Sequence, residues 1–179
     1  MATAKEQKSG NELKLELIRQ ILNDEIKVRS SKNLVKYRKF KEEVERIIAQ
    51  YHNNFFDNLM ALQELIDKVA KPMQEEDQRL QQLGITQEEE AFYEILANHP
   101  NAIQDFDLIK ELVQKILAEV KKSAKQPDWY KKDDTKAQLM LAVKKVLRFK
   151  VKADELQTIL DEVMEQAEAR YKEYGMSVA

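Results

Sequence analysis

Turn-forming residues are scarce in this chain: three glycines and three prolines in 179 positions. A sheet protein needs a turn roughly every 8–12 residues, and glycine and proline supply most of them. The chain lacks the means to build such a fold, so its expected class is all-α. Charged residues make up 35% of it and apolar residues 43%, the balance of amphipathic helices whose outer faces stay in water. The opening residues 1–10 are polar, small and aperiodic and read as a flexible leader. Residues 11–179 read as a single helical domain: a multi-helix bundle with one long helix.

Apolar spacing and end signals place the helices. The first is expected from Asn11, with Leu13, Leu17, Ile18, Ile21, Leu22 and Ile26 at helical spacing, ending at Ser30–Ser31. The long helix is expected over about 40–83. It carries one stripe through Val44, Ile48, Tyr51, Phe55, Leu59, Leu62, Ile66, Val69 and Met73, and Pro72 is expected to kink or split it. Gly84 is placed as a left-handed stop, and Thr86 with Glu89 spells a capping box. A C-terminal helical bundle over about 86–174 then follows. Its helices carry Phe92 to Leu96, Ile109 to Val120, Leu139 to Leu147, and Leu156 to Tyr171, with Gly175 as the last stop.

Motifs for catalysis are absent. There is no G-x-x-x-x-G-K-[ST], no G-x-G-x-x-G and no G-x-S-x-G. His52 and His99 lack metal-ligand spacing, and no Glu-x-x-His pair exists for a carboxylate-bridged metal bundle. Glu88, Glu89 and Glu90 suit the positive end of a helix dipole. Asp128 with Asp134 and Lys136 superficially spells a nuclease signature, but that chemistry needs acids converging from adjacent strands on magnesium, and helix surrounds both halves here. No catalytic residue and no metal ligand is expected. The chain has no cysteine, which excludes disulfide and thiol chemistry and permits a reducing compartment. It has neither an apolar run of membrane-spanning length nor a signal-peptide pattern. The expected location is the cytoplasm, with no membrane partner.

Charge is gathered in blocks. Residues 27–41 hold Lys27, Arg29, Lys32, Lys36, Arg38, Lys39 and Lys41 without one acid, interleaved with Asn33, Tyr37 and Phe40. Residues 120–152 hold eleven cations, among them Lys144, Lys145 and Arg148, against three acids, and flank a turn with Trp129 and Tyr130. Two readings stand for each block: a surface that meets phosphates without reading sequence, or a solvated face that neutralises acidic neighbours. Trp129 is either a core plug or, with Tyr130, an exposed partner anchor.

Three ordered segments resemble the C-terminal region of type I restriction enzyme R subunits. The first is Leu22-Asn23-Asp24-Glu25-Ile26-Lys27 with Arg29-Ser30, Lys32-Asn33-Leu34-Val35 and Arg38-Lys39-Phe40. The second is Leu83-Gly84, a capping Thr86, three glutamates, Ala91-Phe92-Tyr93 and Leu96. The third is Asp128-Trp129, Lys136-Ala137 and Val143-Lys144-Lys145-Val146-Leu147-Arg148. The resemblance covers roughly residues 12–174. Pro72 and the basic Tyr130-Lys131-Lys132 depart from the family pattern.

The resemblance implies a non-catalytic C-terminal domain of a motor subunit. The parent would be an ATP-dependent DNA translocase and endonuclease, with ATP and magnesium bound only in its upstream domains and no cofactor here. The implied partners are the methyltransferase core, comprising modification and specificity subunits, and double-stranded DNA held non-specifically. Candidate DNA contacts are Lys27, Arg29, Lys32, Asn33, Lys36, Arg38, Lys39, Lys144, Lys145 and Arg148; candidate partner contacts are Trp129 and Tyr130. The alternative is a stand-alone scaffold that dimerises through the long helix.

Overall fold

Helices account for most of the computed structural model, which describes residues 3–177 and contains no strand among them. In order they are α1 (Ala4–Ser30), α2 (Leu34–His52), α3 (Asn58–Leu65), a π-helical segment (Ile66–Ala70) and α4 (Lys71–Gln82). Then follow α5 (Gln87–Ala97), α6 (Phe106–Ala124), a 3-10 turn (Trp129–Lys131), α7 (Asp133–Leu147), α8 (Ala153–Tyr171) and the short α9 (Tyr174–Ser177). Contacts gather into two units. One comprises Met1–Ser30 and Lys36–Leu83, the other Ser31–Val35 and Gly84–Ala179.

In the first unit α1 begins at Ala4, upstream of the expected Asn11. Leu15, Leu22 and Ile26 are its buried residues, while Leu13, Leu17, Ile21 and Val28 face solvent. The expected single helix over 40–83 does not form. Asn54 takes a left-handed φ of 60°, a conformation asparagine tolerates at helix ends. Phe55 N–H folds back onto the Gln50 carbonyl at 2.9 Å, which closes α2. Asp57 then caps α3 through the Met60 N–H at 2.8 Å. This break shifts the helical phase, so Phe55 and Leu59 lie outside the core, where Ile47, Ala61 and Leu65 join Val44, Val69 and Met73 of the expected stripe.

Pro72 was expected to be the disruption, yet the backbone stays helical from Asn58 to Gln82. The π-helical turn accounts for this. Lys71 N–H bonds the Ile66 carbonyl, five residues back, and this wider turn admits a residue that cannot donate. Pro72 then occupies the first turn of α4, directly after the π-helical turn.

The second unit packs as its spacing predicts. Phe92, Ile95 and Leu96 of α5 meet Ile109 to Val120 of α6, Leu139, Val143 and Leu147 of α7, and Ile159 to Tyr171 of α8. Gly84 has a φ of 70°. The Thr86–Glu89 capping box closes at 3.1 and 3.2 Å. Gly175 is not a helix stop, since α8 already ends at Tyr171. Its lack of a side chain serves close packing: a Cβ there would lie 2.8 Å from the carbonyl oxygens of Ala124 and Lys125.

One buried polar side chain draws residues 31–35 into this unit. Gln166 of α8 is 1% exposed. Its Oε1 accepts from Leu34 N–H at 2.7 Å, and its Nε2 donates to the carbonyls of Ser31 and Lys32 at 3.1 Å each. The serine break between α1 and α2 is thus satisfied by α8. Replacing Gln166 by leucine is expected to cost about 2 kcal/mol, because the Leu34 amide loses its acceptor. Urea denaturation measures this, and a change below about 0.5 kcal/mol, the level of an ordinary surface substitution, would remove the clamp from the account.

Candidate nucleic-acid and partner interface

Part of the first basic block, Arg29, Asn33 and Lys36, is committed to internal contacts. In the first unit, Asp77 of α4 receives Arg29 Nη1 on Oδ2 and Lys36 Nζ on Oδ1, both at 2.8 Å. The Lys36 side chain is 1% exposed, and its ammonium lies 5.6 Å from the Tyr37 ring centroid. Arg29 also pairs with Glu25 one turn earlier. Burial disfavours the charge on Asp77, but the hydrogen bonds and attraction from Lys36 and Arg29 outweigh it and hold the carboxyl below its usual range. Lys36 is therefore a core ion, since reaching a phosphate would strip it from Asp77. In the second unit Asn33 is buried and donates to Glu94 Oε2 at 2.9 Å. Lys27, Lys32, Arg38 and Lys39 are exposed.

Two further sites in the second unit bear on function. Trp129 is fully buried, and its indole N–H donates to the Tyr171 carbonyl at 2.9 Å. Its expected role as an exposed anchor is therefore corrected: the side chain fills the core and has no surface to offer. Tyr130 is half-buried, with Lys131 and Lys172 against its ring at 5.4 and 5.2 Å. Beneath this turn Glu88 accepts from Lys121 at 2.6 Å and from the Tyr171 hydroxyl at 2.9 Å. Burial opposes the Glu88 charge, but those two donors keep its pKa low. Burial and Glu88 together hold the Tyr171 hydroxyl far above its ordinary value.

Lys144, Lys145 and Arg148 differ from the first block in that all three are exposed, on the last turn of α7 and just past it. Lys150 is exposed in the turn that follows, and no acid occurs between Asp134 and Asp154. His99 meets Glu162 at 2.9 Å. No group of acids and histidines suited to a metal ion occurs among the described residues, and no described helix is long and apolar enough to cross a membrane.

The family described as type I restriction enzyme HindI endonuclease subunit-like, C-terminal, matches residues 1–173. The chain belongs to that family. It is 32% identical over 82% of its length to the type I restriction enzyme HindI endonuclease subunit of Haemophilus influenzae. To the putative type I restriction enzyme MjaIXP endonuclease subunit of Methanocaldococcus jannaschii it is 30% identical over 71%. The matched stretch is 14% and 12% of those two proteins, respectively. No solved structure matches the chain.

Within this family's C-terminal domain, the resemblance in the first segment is carried partly by buried residues. Leu22, Ile26, Asn33 and Phe40 are buried, which gives the segment a structural reason for its residue types. Asp77 and Gln166 escaped the sequence reading because their partners lie more than 40 positions away along the chain. Asp77→Ala is expected to cost about 2 kcal/mol at pH 7, the low side for a buried pair, because the carboxylate is partly open to water. The folded pKa of Asp77 is depressed, so its contribution is full above about pH 4 and disappears as pH falls through the native value. Denaturation of both proteins over a pH series should therefore converge in acid, and a pH-independent difference would contradict the triad.

Proposed function

We propose that this C-terminal domain docks the endonuclease subunit of a type I restriction enzyme onto its methyltransferase core and grips duplex DNA without reading its sequence. On this reading it is a binding module with no catalytic centre, and the ATP-driven translocation and DNA cleavage belong to other parts of a larger, cytoplasmic protein. The observation that carries the DNA contact is the exposed row Lys144, Lys145, Arg148 and Lys150, uninterrupted by acids. Neutralising phosphates releases counterions, so such a row binds any duplex and loses affinity steeply with salt.

Docking is supported by α1, where Leu13, Leu17, Ile21 and Val28 hold an exposed apolar stripe, the kind of surface a protein partner covers. The methyltransferase core is the occupant we assign to it. The alternative, dimerisation through a long helix, has less support, since the stripe expected to mediate it is broken at residues 53–57.

The docking arm predicts that the 179-residue chain competes with the full endonuclease subunit for the methyltransferase core in native electrophoresis. Leu17→Gln with Ile21→Gln should abolish competition while leaving the helical content intact. A chain that never competes defeats the docking reading. For the DNA arm, replacing Lys144, Lys145 and Arg148 by alanine should lower the slope of log affinity against log salt by about 2.7. An unchanged slope would take DNA away from this row.

A further inference from the structure

The turn between α7 and α8 presents an aromatic ring in a setting that folding alone does not explain. Arg148 has φ −56° and ψ 130°, Phe149 has φ 66°, and Lys150 N–H donates to the Leu147 carbonyl at 2.9 Å. Residues 147–150 thus form a type II turn, whose third position calls for glycine or asparagine. A benzyl group there brings steric strain. Phe149 is also 87% exposed, so burial does not offset that strain. Both terms work against the stability of the chain by itself, and such an outlier on a surface turn points to function.

The surroundings indicate what the ring meets. The Arg148 guanidinium lies 4.7 Å from the Phe149 centroid, over one face. Lys144, Lys145 and Lys150 stand exposed within five residues of it along the chain. Lys152 is held by Asn101 at 2.8 Å. Of the nearby acids on α6, Glu111 is bonded to Lys115 at 2.6 Å and is also attracted by Lys150, and Glu119 lies with Lys145 along a shallow groove between α6 and α7. An anionic polymer with flat apolar faces satisfies the cations and the ring together, and an unpaired nucleic-acid strand is such a polymer.

We propose that Phe149 is a stacking platform for an unpaired base, with Lys144, Lys145, Arg148 and Lys150 holding the phosphates on either side. The inference rests on the DNA-binding reading above and adds that this turn takes single strand. Stacking is indifferent to sequence because every base has a π face, in keeping with a contact that holds DNA without reading it. A duplex would offer its phosphates to the cations but no free base to the ring, so the two substrates separate the two contributions.

The test is fluorescence anisotropy of the 179-residue chain with an oligothymidine of about 20 nucleotides and, in parallel, a duplex of arbitrary sequence. Phe149→Gly should weaken oligothymidine binding about tenfold and leave duplex binding nearly unchanged. Its melting temperature should rise, because the turn loses its strain. The indole introduced by Phe149→Trp should keep the affinity and be quenched by oligothymidine. If Phe149→Gly binds oligothymidine like the wild type, or the introduced indole is not quenched, the stacking role is overturned while duplex binding stands. If the wild type binds neither DNA at low salt, the DNA reading itself fails and the stacking role with it.

Discussion

Gln166 holds the junction on which the placement of the first basic block depends. A chain that leaves one helix at Ser30 and starts another at Leu34 exposes backbone donors and acceptors at both ends. A single amide side chain from α8 answers three of them. Residues 31–35 thereby belong to the second unit, while the residues on either side of them belong to the first. The block from Lys27 to Lys41 is consequently divided between the two units. Arg29 and Lys36 are drawn to Asp77 in one unit, and Asn33 to Glu94 in the other.

That division sets what the domain can do with its charge. Cations bound to a partly buried carboxylate contribute to the fold, and removing them from it would leave a buried charge uncompensated. The cations at the end of α7 carry no such obligation. The two blocks look alike by composition, and it is burial and pairing that distinguish a structural ion from one able to meet phosphate.

Much of the second unit was legible because its signals are local. The Thr86–Glu89 box, the left-handed Gly84 and the spacing from Ile109 to Val120 each lie within a few residues, and all formed as expected. The first unit was harder to read because its stripe continues across a break. Asn53-Asn54 and Asp57 are stop and start signals, but the apolar residues beyond them keep a helical spacing that suggests continuity. Pro72 was misleading for the opposite reason: a π turn, which has no sequence signature of its own, relieves it. The candidate site was read least well, since Lys36 and Trp129 differ from surface residues only through partners distant in sequence. Phe149 lies just past the expected stripe from Leu139 to Leu147, and the turn conformation that makes it unusual is a property of the backbone.

The most direct measurement of the central claim, that the α7–α8 turn and not the first basic block carries the DNA contact, is lysine footprinting with an amine-reactive label, with and without duplex DNA. The account predicts that Lys144, Lys145 and Lys150 label readily in the free chain and are protected on DNA, while Lys36 is inert in both. Protection confined to residues 27–41, with the lysines of the turn labelling equally in both conditions, would contradict it.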